Sequence, residues 1–227
     1  MRILRRLNPC FLVIVFVSAN DAAQASTNGF VVPSFRGSAS SEAGYWESFT
    51  VPFGTPGNPA NIVGATTGAI LTQDGSSAAF ITGSGNIYDF STTLQSFKVA
   101  DSTPFSLGTV VLQTRSLGSE LDYGSFLLNY SDNTGMHSLV PLSRVELDRG
   151  TILGASVSSL FQWNLSGLNV SEYSLSFAGA SPSVSFDSMT LDTWTQFTAV
   201  PEPSTSAILG LGAWIMCRHH RNRSRRA

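Results

Sequence analysis

The alternation of apolar and polar residues constrains the fold more than any other feature of this chain. Residues 173–177 read YSLSF, so every second side chain is large and apolar. Successive side chains of a β-strand point to opposite faces, and a period of two therefore predicts a half-buried strand. The same alternation returns in residues 184–186 and 189–191. Strands of this kind are typical of antiparallel sheets with one face on a core.

Short β-prone runs recur between turn-forming glycine, asparagine, aspartate and proline residues. The predicted strands are 45–51, 69–72, 78–82, 86–90, 94–99, 108–114, 125–130, 139–147, 173–177, 183–186 and 189–193. Residues 153–161 are the exception, because Leu153, Val157, Leu160 and Phe161 follow helical spacing and favour a short helical turn; residues 161–165 have a strand pattern again. Regular short strands separated by turns predict an all-β fold, an antiparallel β-sandwich or jelly-roll-like domain.

The amino-terminal residues have the order of a secretion signal. Three arginines among the first six residues precede an apolar run at 11–17. The small residues Ala23 and Ala25 follow and form an A-x-A cleavage site. The apolar run is too short to span a bilayer as a helix. We therefore predict that residues 1–25 are a signal peptide, cleaved after Ala25.

The carboxyl-terminal residues combine three features in a fixed order. A proline-rich motif comes first, formed by Pro201, Glu202 and Pro203. An apolar segment follows, with Ala207, Ile208, Leu209, Leu211, Trp214, Ile215 and Met216. A basic tail comes last, with Arg218, Arg221, Arg223, Arg225 and Arg226. The prolines keep the motif extended, the apolar segment favours the bilayer, and the arginines oppose translocation.

This three-part end, residues 200–227, resembles the PEP-CTERM sorting signal of bacteria with complex envelopes. The resemblance implies that an exosortase, a membrane-embedded cysteine peptidase-like enzyme, reads Pro201-Glu202-Pro203 and removes the tail. Residues 108–130 and 189–194 are also similar to segments of other PEP-CTERM proteins, a likeness that implies destination and no activity.

The apolar segment between the motif and the tail is short for a membrane helix. Residues 204–217 would form a helix of about 21 Å, against a bilayer core of ~30 Å. This length favours a transient sorting helix, and an ordinary stop-transfer anchor is the alternative. The predicted organisation is thus a signal peptide at 1–25, an exported all-β domain at 26–199, and a sorting signal with a short transmembrane helix at 200–227.

The composition of the exported domain excludes two classes of protein. Residues 26–199 contain five basic and thirteen acidic side chains, a net charge of −8. A domain this acidic does not attract nucleic acid. Both cysteines, Cys10 and Cys217, lie in the terminal signals, so no disulfide framework holds the fold.

Candidate catalytic residues are few. His137 is the only histidine of the domain, so a triad, a zinc site or a histidine base would depend on it alone. A glycan hydrolase needs two carboxyl groups, and the pairs Glu120/Asp122 and Glu146/Asp148 would each share one face of an extended strand. No feature indicates the apolar pocket that a catalytic acid needs. We therefore predict no enzymatic activity and no metal or cofactor, with calcium bound by the turn at 132–135 as the alternative.

Aromatic side chains offer a sugar-stacking alternative to a purely structural role. The candidates are Trp46, Trp163, Trp194, Tyr45, Tyr88, Tyr123, Tyr130 and Tyr173. Most aromatic residues of such a domain are expected in the core.

The sequence thus predicts an exported protein of the cell envelope or extracellular matrix, with a structural or interaction role. The alternatives are a carbohydrate-binding module for matrix polysaccharide and, third, a glycan hydrolase. The expected partners are the export machinery, an exosortase-type enzyme at the inner membrane, and extracellular polysaccharide for the carbohydrate-binding alternative.

Overall fold

A computed structural model describes residues 29–103, 105–150 and 155–196, and within them the chain forms strands and no helix. The strands are β1 (Ser41–Trp46), β2 (Asn58–Pro59), β3 (Ile70–Gln73), β4 (Phe80–Ile81), β5 (Ile87–Tyr88), β6 (Ser96–Ser102), β7 (Leu107–Gly118), β8 (Leu121–Asp132), β9 (Gly135–Leu139), β10 (Ser143–Gly150), β11 (Ala155–Asn164), β12 (Glu172–Gly179) and β13 (Val184–Thr195). The prediction of an all-β fold is confirmed.

The strands form two antiparallel sheets. In sheet A the order is β10-β11-β7-β13-β5-β4, and β1 also pairs with β13. In sheet B the order is β2-β3-β6-β12-β8-β9. The central strand of sheet A, β13, pairs with β7 along one side and with β1 and then β5 along the other.

A continuous series of phenylalanine rings joins the two sheets. Phe186 of sheet A lies 4.5 Å from Phe97 of sheet B, measured between ring centroids. Phe97 contacts Phe177 at 5.2 Å, and Phe177 contacts Phe126 at 4.9 Å. Phe126 then stacks on Phe161 of sheet A at 3.7 Å. Each fully buried ring of this size contributes about 1.5–3 kcal/mol, so this series holds the sheets face to face.

Two predicted strand boundaries are corrected by the sheets. The runs 183–186 and 189–193 form one strand, β13, whose register with β7 shifts between Phe186 and Ser188. The run 139–147 instead divides between β9 of sheet B and β10 of sheet A. The chain therefore crosses from one sheet to the other in the middle of that run.

The helical alternative for residues 153–161 is wrong from Ala155 onward. Here the chain forms β11, which pairs with β10 on one side and β7 on the other. Phe161 and Trp163, two positions apart, both reach the core, as the period of a strand requires. Residues 151–154 lie outside the described part of the chain.

Residues 30–40, named here the N-terminal strap, are held on the outer face of sheet A before β1 begins. The Val31 N–H donates to Gln113 Oε1 at 2.8 Å, and Gln113 Nε2 donates to the Val31 carbonyl oxygen at 2.8 Å. The Arg36 guanidinium forms a two-pronged ion pair with Asp192, with Nη2 2.6 Å from Oδ2. Gln113 and Asp192 neighbour the core residues Leu112 and Leu191 and so point outward.

Candidate functional site

The predicted signals lie outside the described residues. These are the cleavage site at Ala23 and Ala25, the motif at 201–203, the apolar segment and the arginine tail. Within the ranges that the structure describes, no helix has the length and apolarity to cross a membrane. The described residues all belong to the predicted β domain, 26–199.

Glu120 belongs to an ionic network between the two sheets. Its carboxylate accepts hydrogen bonds from Arg149 Nη1 at 2.6 Å and from the Tyr123 hydroxyl at 2.6 Å. Arg149 also donates to Glu146 of β10, with Nε 2.8 Å from Oε1. The bonds from Arg149 and then Tyr123 lower the pKa of Glu120 to about 2. Glu120 is therefore ionised at neutral pH, the opposite of a general acid.

The second predicted carboxylate pair is separated by a β-bulge. Glu146 lies opposite Ser159 of β11, whereas Asp148 lies opposite Ser158. Adjacent residues of β11 face opposite sides, so Glu146 and Asp148 do as well. The expectation that they share one face is wrong, because the extra residue of the bulge reverses the alternation.

The turn between β8 and β9 uses the carboxylate of Asp132 internally. Asp132 Oδ1 accepts from the Thr134 N–H at 2.7 Å and the Thr134 hydroxyl at 2.6 Å, and it lies 2.9 Å from His137 Nε2. The Thr134 bonds and then His137 lower the pKa of Asp132 to about 2. Among the described residues, no three His, Cys, Asp or Glu side chains are grouped to hold a metal ion. Calcium binding at this turn stays a prediction.

The tryptophans do not form a common exposed platform. Trp46 is 0% exposed and Trp163 is 1% exposed, and both belong to the core. Trp46 Nε1 donates to the Asn58 carbonyl at 2.8 Å, and Trp163 Nε1 donates to the Leu139 carbonyl at 3.0 Å. A sugar platform that includes these two side chains is therefore wrong.

The tyrosines divide among the core, the ionic network of Glu120 and the outer face of sheet A. Tyr130 and Tyr173 are buried. The half-buried ring of Tyr123 lies under the Arg144 guanidinium, whose Cζ is 3.3 Å from the centroid of the ring. The outward residues are Tyr45, which contacts Phe30 of the strap, and Tyr88 of β5. Trp194, half-buried, shares that face because it lies two positions from outward-pointing Asp192.

Three rings at the β4 edge of sheet A form the outer aromatic cluster: Phe80, Tyr88 and Phe90. Phe80 and Phe90 stack at 5.3 Å with an interplanar angle of 23°. The Tyr88 ring meets both edge-on, at 5.8 Å from Phe80 and 4.7 Å from Phe90. Phe90 is 76% exposed. Of these three rings only Tyr88 was a candidate from the sequence; Phe90, two positions further along, was not selected because no pattern marks its face as solvated.

The hairpin that connects β4 to β5 positions this cluster. Thr82 closes it, with its N–H 2.9 Å from the Asn86 carbonyl and its hydroxyl 3.0 Å from the Asn86 N–H. Gly85 has φ of +89°, and a Cβ there would lie 2.7 Å from Ser48 Cβ, so the turn requires glycine. Ile87 is fully buried, which directs its neighbour Tyr88 outward as the cross-strand partner of Phe80.

A buried carboxylate fixes the end of the cluster. Asp89 is 0% exposed and accepts from the Ser91 N–H at 2.7 Å and the Ser91 hydroxyl at 2.6 Å. This local turn points Asp89 inward and leaves Phe90 in solvent. The hydrogen bonds between Asp89 and Ser91 thus fix the backbone next to Phe90, and the contacts among the three rings fix their side chains.

Comparisons with known proteins give little likeness. No protein-family model matches the chain, and no curated protein matches it. Among solved structures, the enzymatically active domain of tailspike protein 4 of bacteriophage CBA120 is similar to it at 6% identity and a TM-score of 0.28. That alignment covers 70% of this chain and 20% of the tailspike domain. A similarity this low indicates nothing about the function of the chain.

Proposed function

We propose that this chain is an exported protein of the cell envelope or extracellular matrix with a structural or interaction role and no catalytic one. The observation that carries the proposal is the order of features in residues 200–227: the motif Pro201-Glu202-Pro203, an apolar segment, and five arginines. Each feature alone is common, but their order defines a sorting signal. The proposal retains two finer predictions, a jelly-roll-like strand order and a short C-terminal transmembrane helix.

The chemistry of the exported domain supports a role without catalysis. The carboxylates of Glu120 and Asp132 have lowered pKa values and accept several hydrogen bonds each. His137, the only histidine of the domain, is stacked on Tyr130 at 5.0 Å and contacts the Asp132 turn. These groups are engaged in turns and ion pairs on the surface, where they stabilise the fold.

The sorting proposal is tested by replacing Pro201, Glu202 and Pro203 with alanine. We expect the variant to keep its apolar tail and to accumulate in the inner membrane, because an alanine segment is no longer an extended substrate for the peptidase. The matched control replaces Ser204, Thr205 and Ser206 with alanine, which leaves the motif intact. For both variants we would measure the intact mass of the protein and the cell fraction in which it is found. If the motif variant matures and localises like the wild type, the proposal is wrong.

Carbohydrate binding is the second candidate function, and the outer aromatic cluster favours it. Phe90 presents a largely exposed ring, supported by two other rings, on a protein whose predicted destination contains polysaccharide. This site differs from the platform of tryptophans and tyrosines that the sequence suggested, because Tyr88 is the one residue they share.

A further inference from the structure

We propose that the outer aromatic cluster of Phe80, Tyr88 and Phe90 is a binding site for an uncharged glycan, with a pyranose ring stacked on the exposed ring of Phe90. The inference rests on the proposed function in one respect: an exported protein meets such polymers.

The cluster is preassembled. Phe90 stacks on Phe80 and is perpendicular to Tyr88, so two neighbouring rings hold it in place. Phe80 and Tyr88 are fixed in turn as cross-strand partners of the β4–β5 hairpin. Because few rotamers remain to be frozen when a ligand arrives, a ring held this way binds at a low entropic cost.

The charges of the protein restrict the charge of the ligand. Between residues 75 and 97 the sequence contains one charged residue, Asp89, and its carboxylate is buried and hydrogen-bonded to Ser91. Residues 75–97 therefore offer neither a cation for an acidic polymer nor an exposed anion for a basic one. The net charge of −8 on residues 26–199 further opposes an acidic polysaccharide. An uncharged ligand is the one that this surface accepts.

The β4–β5 hairpin combines aromatic rings with hydroxyl groups. Between the strands that carry the rings, it contains Thr82 and Ser84, whose hydroxyl oxygens are 3.0 Å apart, and the Ser84 hydroxyl oxygen is 3.3 Å from Asn86 Oδ1. A pyranose ring presents an apolar C–H face to an aromatic ring and hydroxyl groups around its rim. Aromatic rings and hydroxyl groups carried by the same hairpin match both parts of that ligand.

The size of the cluster favours a glycan over a second copy of this chain. A stable protein interface buries about 800 Å² on each partner. A fully buried Phe or Tyr contributes about 150–250 Å², and Phe80 and Tyr88 are already half-buried in the monomer. The exposed surface of the three rings is therefore too small for a stable dimer but sufficient for one or two sugar units.

The test measures retention of the purified full-length chain, in detergent, on insoluble or gel-embedded polysaccharides. The probes are cellulose, mannan and dextran as neutral glycans, with alginate as the acidic one. We expect the wild type to bind at least one neutral glycan and not alginate. Phe90→Ala should weaken that binding by about tenfold or more, because the stacking face is lost. Phe90→Tyr, which keeps a ring, should retain it.

The matched control is Phe105→Ala. Phe105 is a 50% exposed phenylalanine that precedes β7, whereas β5 pairs with the part of β13 that faces the other end of β7, roughly 30 Å away. Its removal should leave glycan retention unchanged. Circular dichroism tests whether both alanine variants are folded, and we expect that they are because both side chains are exposed.

Three results would overturn the proposal: no retention of the wild type on any neutral glycan, equal retention of wild type and Phe90→Ala, or dimerisation in sedimentation that Phe90→Ala abolishes. The last result would assign the cluster to a second copy of the chain. Sorting is measured by processing of the 201–203 motif and not by glycan retention. Failure of the glycan site therefore leaves the sorting proposal standing, and the reverse also holds.

Discussion

Replacing Arg36 with alanine tests how the N-terminal strap is attached to sheet A. Asp192, the partner of Arg36, has a side chain that is 0% exposed, whereas 29% of the Arg36 side chain is exposed. The variant leaves a buried carboxylate without its counter-charge. Removal of one partner from a buried ion pair costs about 3–5 kcal/mol, and we expect about 3 kcal/mol because solvent reaches the arginine. For a domain of this size the melting temperature should fall by about 6–12 °C.

The same substitution should have a characteristic pH dependence. Burial raises the pKa of Asp192, although the Arg36 guanidinium opposes the shift. A carboxyl group with a raised pKa binds its proton more readily in the folded state. Its contribution to stability is therefore greatest at acidic pH and is lost as the pH rises through the folded pKa. The deficit of Arg36→Ala should be largest at neutral pH and should shrink in acid, where Asp192 becomes neutral and needs no counter-charge.

The assay is thermal and urea unfolding of both proteins between pH 4 and pH 8. The matched control is Arg149→Ala, which removes an arginine from a network whose side chains are 33–40% exposed and should lower stability much less. The double variant Arg36→Met/Asp192→Leu should recover most of the loss, since it removes both charges and leaves no buried polar group without a partner at this pair. Equal losses for Arg36→Ala and Arg149→Ala, or a deficit that stays constant with pH, would refute this account of the strap.

Two further predictions concern single buried or ionised groups. Gln73→Met should raise the free energy of unfolding by about 1–2 kcal/mol. The reason is that the amide of Gln73 is fully buried opposite Phe97 and has no hydrogen-bond partner among the described residues. A fall in melting temperature would contradict this prediction. Glu120 should titrate by NMR with a midpoint of about 2, so its stabilising contribution is present above the ordinary pKa of 4.5 and is lost as the pH falls toward 2. Arg149→Gln should move that midpoint upward, and a midpoint near 4.5 in the wild type would show that the network does not form.

Period-two patterns predicted the strands that bury one face. Tyr173, Leu175 and Phe177 alternate in sequence and lie on the core side of β12. The bulge between Phe186 and Ser188 changes the phase of the alternation, from 184 and 186 to 189 and 191, and that change was interpreted as a break between two strands. The bulge between Glu146 and Asp148 was not predicted, and the expectation that these two carboxylates share one face was therefore wrong.

Residue type did not predict which aromatic rings are exposed. Trp46 and Trp163 are buried because each indole N–H finds a backbone carbonyl inside the domain. Phe90 has no polar atom to satisfy, yet it is exposed because the hairpin and the Asp89 turn direct it outward. Burial of an aromatic residue is decided by its neighbours in space, which the sequence around it does not specify.

Contacts between distant parts of the chain were also beyond sequence analysis. Arg36 and Asp192 are separated by 156 positions, and neither lies in a pattern that distinguishes it from other surface charges. Gln113 likewise lies in a β-prone run where a polar residue would ordinarily face solvent. Gln113 and Asp192 are buried because the N-terminal strap covers the outer face of sheet A. No local sequence pattern indicates this arrangement.

The most direct test of the central claim is the intact mass of the protein purified from its native envelope. The account predicts a species that begins near Ser26 and ends near Pro203, with or without the added mass of an attached group. That result would establish cleavage at both predicted sites. A species that still carries residues 204–227 would contradict exosortase processing and would identify the carboxyl-terminal segment as a simple membrane anchor.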